Sequence, residues 1–135
     1  IRNSIIVSNS NAIRDCNVFV ICVPTGVTSS HEPDLFPLKS ACFVVGSNLK
    51  KGDLVIFEST VFPGATDEIC IPILEEYSGL TLNIDFGVGY SPERINVGEE
   101  IHHLSITPKI ISGSSSEVLN KIEKLYSSII SAPLC

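Results

Sequence analysis

Short apolar runs alternate along the chain with longer segments in which apolar residues recur every three or four positions. Val18-Phe19-Val20-Ile21-Cys22-Val23 is uninterrupted and rich in β-branched residues, the pattern of a parallel strand covered on both faces. Leu54-Val55-Ile56-Phe57 has the same character and follows the turn Lys51-Gly52-Asp53. Weaker strand signals lie at Ile5-Ile6-Val7, Phe86 to Tyr90, Lys109 to Ser112 and Ile129 to Ala132. Between the strands, Leu38, Ala41, Cys42, Val45 and Leu49 form one apolar face and predict a helix over residues 35–49. Ile69, Cys70, Ile73, Leu74 and Tyr77 predict a second, which Pro72 should kink or mark as a first turn. In the last helix, Ser114 and Glu117 have capping-box spacing. Val118, Ile122, Leu125 and Ile129 fall on one face there, and Glu117 and Lys121 form an i,i+4 pair.

Strands alternating with helices predict an α/β fold, a doubly wound and mostly parallel sheet. No linker-like or low-complexity stretch divides the chain, so its 135 residues read as one domain or a piece of one. Apolar residues at 44% against 18% charged exclude a disordered chain. A net charge of −6 and a pI near 4.9 argue against binding a phosphate backbone, which relies on clustered Lys and Arg. The longest apolar run, Val18 to Val23, is far too short to span a membrane. The start Ile1-Arg2-Asn3-Ser4 lacks the pattern of a secretory signal. Cys16, Cys22, Cys42, Cys70 and Cys135 are odd in number and show neither a CxxC pair nor zinc-ligand spacing. Cys22, Cys42 and Cys70 lie in apolar stretches and read as small buried hydrophobes, in keeping with a reducing cytoplasm.

In an open parallel sheet, ligands bind beyond the carboxyl ends of the strands. Three stretches occupy such places: Val23-Pro24-Thr25-Gly26, Glu58-Ser59-Thr60-Val61-Phe62-Pro63-Gly64, and Tyr90-Ser91-Pro92-Glu93-Arg94-Ile95-Asn96. Each joins a hydroxyl or carboxylate to a Pro or Gly turn element. Taken singly, each also reads as turn or helix-cap chemistry, and Glu93 also reads as a solvated surface carboxylate.

Taken together, ICVPT (Ile21 to Thr25), ESTVFPGAT (Glu58 to Thr66) and GYSPERIN (Gly89 to Asn96) resemble three motifs of the UDP-glucose/GDP-mannose 6-dehydrogenase family, in its order and at its spacing. EPDL (Glu32 to Leu35) and KIISG (Lys109 to Gly113) fit as well, and HEPDL with SPERIN is most similar to the members that oxidise UDP-N-acetylhexosamines. The resemblance implies a Rossmann-like domain and oxidation of the C6 hydroxyl of a UDP-sugar to a carboxylate, for polysaccharide or cell-surface glycan synthesis. Two NAD are used per sugar, through an aldehyde and a cysteine-bound thioester. By motif, Val23, Pro24 and Thr25 line the NAD site; Ser59 and Thr60 lie beside the nicotinamide, with the Thr60 hydroxyl holding water or the reacting oxygen. The resemblance gives Glu93 the part of general base in thioester hydrolysis, a role for which shielding by Tyr90 and Pro92 is expected to suit it, and gives Arg94, Ile95 and Asn96 contacts with the sugar. The expected partners are the UDP-sugar and further copies of the whole enzyme, with no nucleic acid, membrane or metal.

The family's GxGxxG turn, which binds the NAD pyrophosphate, is not among these residues, nor is its Gly-rich nucleophilic-Cys motif. Gly87-Val88-Gly89 is a lone GxG that reads as close packing. The chain is therefore expected to be the later half of an N-terminal NAD-binding domain, lacking the first βαβ unit and inactive alone. Gly26 and Val97 stand where the family usually has Pro. His102 and His103 read as solvated, and Lys109 as a strand-end surface charge. Two alternatives stay open: a related Rossmann hydroxyacid dehydrogenase, and a non-catalytic α/β interaction module.

Overall fold

A computed structural model describes residues 10–93 and 107–135. The expected Ile5-Ile6-Val7 strand, Arg94, Ile95, Asn96, Val97, His102 and His103 lie outside the described residues. After a 3-10 turn (Ser10–Asp15) come β1 (Val18–Ile21), α1 (Phe36–Gly46), β2 (Leu54–Phe57), α2 (Ile71–Ser78), β3 (Gly87–Tyr90), β4 (Ser112–Gly113) and α3 (Ser116–Ser127). The sheet order is β1-β2-β3-β4. The first three strands are parallel, and β4 pairs antiparallel to β3. This is the predicted α/β architecture with a mostly parallel sheet.

β2 is central and buried throughout, which explains its unbroken Leu-Val-Ile-Phe run. Its side chains alternate between two cores. Val55 and Phe57 join Phe19, Ile21, Leu38, Cys42, Leu74 and Val88 beneath α1 and α2, whereas Leu54 and Ile56 join Val118, Ile122, Tyr126 and Ile130 of the α3 segment. Each fully buried aliphatic side chain contributes about 1.5–3 kcal/mol. β1 departs from its expected burial on both faces: Phe19 and Ile21 are buried, but Val18 and Val20 are 44% and 47% exposed. The reason is positional, because β1 pairs only with β2 among the described residues and α3 packs on β3 and β4.

Pro72 leaves its mark just upstream of itself. Residues Thr66–Cys70 form a π turn closed by Ile71 N–H donating to the Thr66 carbonyl, and α2 begins with Pro72 in its first turn. The wider turn accommodates a ring that cannot donate to the helix ladder. Gly79 ends α2 at φ +69.

α3 begins one residue later than its capping-box spacing predicts. Ser115, not Ser114, is the N-cap, its hydroxyl accepting from Val118 N–H at 3.3 Å. The buried face is consequently Val118, Ile122, Tyr126 and Ile130, while Leu125 and Ile129 are exposed. The Glu117–Lys121 pair forms as expected, at 2.9 Å. Ile129 to Ala132 forms no strand; instead Leu134 makes a single parallel bridge to Lys109. The GxG of β3 does serve close packing, since a Cβ on Gly87 or Gly89 would run into Val118 or Ile122 of α3.

Candidate functional site

The pairing register aligns Ile21, Phe57 and Tyr90, the last residues of three parallel strands, along one edge of the sheet. The three motif stretches leave the sheet immediately after these residues, so all three start on the same rim. Backbone bonds hold their first steps together. Glu58 N–H and Ser59 N–H donate to the Ile21 carbonyl at 2.9 and 3.3 Å, Ser91 N–H to the Phe57 carbonyl at 2.9 Å, and Glu93 N–H to the Glu58 carbonyl at 3.3 Å.

Thr25 and Thr60 line one cavity of about 330 Å³, together with Gly26, Val27, Pro33, Asp34, Leu35, Val61 and Phe62. Its far wall is the loop after Thr25, closed by Asp34 N–H donating to the Gly26 carbonyl at 2.9 Å; the Asp34 carboxylate accepts from the N–H of Phe36, the first residue of α1, at 3.0 Å. Two hydroxyls set in an otherwise largely apolar cleft suit a flat ring with a polar substituent. Thr60 is exposed and Ser59 buried: the Ser59 hydroxyl donates to the Val23 carbonyl at 2.7 Å, tying down the turn that carries Pro24 and Thr25. Glu93 stands on the same rim but outside this cavity, and it is exposed rather than enclosed by Tyr90 and Pro92. A larger cavity of about 520 Å³ lies between the loop after Thr60 and β3–β4, lined by Phe62, Gly64, Tyr90 and Ser112 among others.

Behind the rim is a polar cluster that sequence reasoning missed. Lys109, expected on the surface, is 5% exposed. Its ammonium lies 3.3 Å from Glu58 Oε1, donates to the Ser91 carbonyl at 3.3 Å, and sits 5.1 Å above the Tyr126 ring. Tyr126 donates its hydroxyl to the same Glu58 oxygen, and the Cys22 thiol donates to Glu58 Oε2 at 3.6 Å. Burial and the Glu58 carboxylate push the Tyr126 hydroxyl well above the usual phenol range. Cys22 is exposed, against expectation, yet desolvation and Glu58 also raise its thiol. Cys42 is raised by its hydrogen bond with Cys70 and by burial. Neither is an activated nucleophile. Among the described residues no cluster of His, Cys, Asp and Glu is arranged to hold a metal ion.

Residues 3–130 match the NAD binding domain of the UDP-glucose/GDP-mannose dehydrogenase family. The chain belongs to that family. NAD is accordingly the cofactor of the domain, as the motifs imply. A UDP-N-acetyl-D-glucosamine 6-dehydrogenase of Pseudomonas aeruginosa is 50% identical over 124 residues, covering 92% of this chain and 29% of the relative. Among solved structures, a UDP-D-ManNAc dehydrogenase from Pyrococcus horikoshii superposes with a TM-score of 0.86 at 35% identity, over 95% of this chain and 30% of that one. A ternary complex of GDP-mannose dehydrogenase from Pseudomonas aeruginosa does so with a TM-score of 0.83 at 28% identity, over 93% and 29%. The chain thus spans about three-tenths of the length of these relatives.

Proposed function

We propose that residues 1–135 are part of the NAD-binding domain of an enzyme that oxidises the C6 hydroxyl of a UDP-N-acetylhexosamine to the uronic acid, for polysaccharide or cell-surface glycan synthesis. The observation that carries this reading is the cavity shared by Thr25 and Thr60 at the carboxyl rim, in a chain that belongs to the nucleotide-sugar dehydrogenase family. Val23, Pro24, Thr25 and Thr60 hold the nicotinamide end of NAD, and Ser59 supports them by fixing the Val23 carbonyl. When bound, NAD supplies the hydride acceptor.

The protein's own part is positioning and proton handling. Thr60, on a strand end anchored by backbone bonds, orients the reacting oxygen or a water without filling the space the sugar carbon needs. Val27, Pro33, Leu35 and Phe62 supply an apolar wall against which the nicotinamide ring packs. Glu93, exposed on the same rim, serves as the base that takes a proton from attacking water, and Arg94, Ile95 and Asn96 contact the sugar. The 135 residues contain neither a GxGxxG turn nor the Gly-rich Cys motif, so on this reading they do not turn over by themselves. Five free thiols are in keeping with work in a reducing cytoplasm, and the whole enzyme acts as a homo-oligomer.

The test is an NADH-production assay on the protein encoded by the complete reading frame, with a panel of UDP-sugars and 2-hydroxyacids. The reading predicts two NADH for each UDP-N-acetylhexosamine consumed. It also predicts that Thr60→Val lowers kcat about 100-fold, the scale of a lost positioning contact, with thermal stability unchanged. NADH formation from the hydroxyacids alone, or full kcat in Thr60→Val, would overturn it.

A further inference from the structure

The polar cluster behind the rim is too costly to be incidental. An ammonium and a carboxylate removed from water are retained only where geometry and further hydrogen bonds compensate their desolvation. Here the compensation comes from all sides: Lys109 reaches Glu58 and the Ser91 carbonyl, Tyr126 donates to Glu58 from α3, and Cys22 donates to it from the end of β1. By contrast, the Lys51–Asp85 pair at the other end of the sheet lies with its lysine 78% exposed, where such contacts are worth little.

The positions of three residues carry the inference: Glu58 and Ser91, which meet the ammonium directly, and Cys22, which meets Glu58. Cys22, Glu58 and Ser91 are the first residues after β1, β2 and β3, and they are followed within two or three positions by Thr25, Thr60 and Glu93. We propose that Lys109 is a positioning residue for the proposed site: by neutralising Glu58 at the junction of three strand ends, it fixes the separation of the stretches that bear Thr25, Thr60 and Glu93. This rests on the functional reading above and extends it to residues that touch neither cofactor nor sugar.

Removing the ammonium leaves Glu58 facing Tyr126 from α3 and Cys22 after β1, with Glu93 nearby after β3 and no other cation among its described contacts. Without the ammonium, Glu58 keeps its hydrogen bonds but loses its counter-charge, and the three strand ends lose their common anchor. Removing the charge on Glu58 as well therefore relieves the damage done by losing Lys109, a rescue that a purely structural lysine would not show.

Kinetics of the complete protein test this. Lys109→Met lowers kcat/KM about 100-fold, the cost of slight misplacement. Lys109→Arg keeps most of the activity, and Glu58→Gln/Lys109→Met, with no carboxylate left to neutralise, recovers most of what Lys109→Met loses. Wild-type kcat/KM in Lys109→Met, a Lys109→Arg protein as impaired as Lys109→Met, or a double variant that tracks Lys109→Met would overturn the proposal. A wild-type protein that oxidises no UDP-sugar defeats the functional reading, whereas an active wild type whose double variant shows no recovery defeats only this inference.

Discussion

Ser59 and Thr60 are adjacent hydroxyl residues with opposite fates. Ser59 points into the protein and gives its proton to the Val23 carbonyl, whereas Thr60 points outward into the cavity it shares with Thr25. Just beyond β2, one of the pair holds the scaffold while the other meets the cleft. Ser59→Ala removes the donor to the half-buried Val23 carbonyl, and the net loss of such a hydrogen bond costs about 0.5–1.5 kcal/mol. Urea unfolding of Ser59→Ala is expected to reveal a loss of that size, whereas Thr60→Val unfolds like the wild type. Equal stability of Ser59→Ala and the parent would mean that the Val23 turn does not depend on this bond.

The start of α3 fixes which of its residues meet the sheet. With Ser115 at the N-cap, Tyr126 is turned inward and reaches Glu58, and Leu125 is turned out. Ser114 is already engaged elsewhere: its hydroxyl accepts from Val88 N–H at 3.2 Å and contacts Asn83 Oδ1 at 2.6 Å. Ser115→Ala should therefore cost about 1 kcal/mol of stability, as loss of an N-cap does, with Ser115→Asp restoring it. Thermal unfolding that ranks Ser115→Asp with Ser115→Ala would reject the assignment. The central strands, the three helices and the rim motifs were legible in the sequence because period and turn chemistry are local. The one-residue shift of α3 was not, because two neighbouring serines offer the same cap and only the contact with β3 chooses between them. The open face of β1 was hidden for a similar reason, since a strand paired on one side among the described residues has the same apolar run as one paired on both until its neighbours are known. Lys109 and Tyr126 looked ordinary because their roles depend on a carboxylate more than fifty positions away for the one and sixty-eight for the other.

At the scale of the whole molecule, the sheet works as a device for alignment. Three parallel strands in register deliver three separate stretches of chain to one edge, α1 and α2 back that edge from one side, and α3, whose Tyr126 meets the Lys109–Glu58 pair, backs it from the other. Two of these loops, individually unremarkable turns, thereby become walls of one cleft, and the third starts beside them on the same rim. The central claim is that Thr25 and Thr60 face one bound nicotinamide with Glu93 close by. A crystal structure of the protein from the complete reading frame, grown with NAD and a UDP-N-acetylhexosamine, tests it most directly. The account predicts the nicotinamide in the cleft between Thr25 and Thr60, with the sugar C6 within reach of the Thr60 hydroxyl. A cofactor seated instead in the larger cavity beside β3 and β4, or on the opposite edge of the sheet, would contradict it.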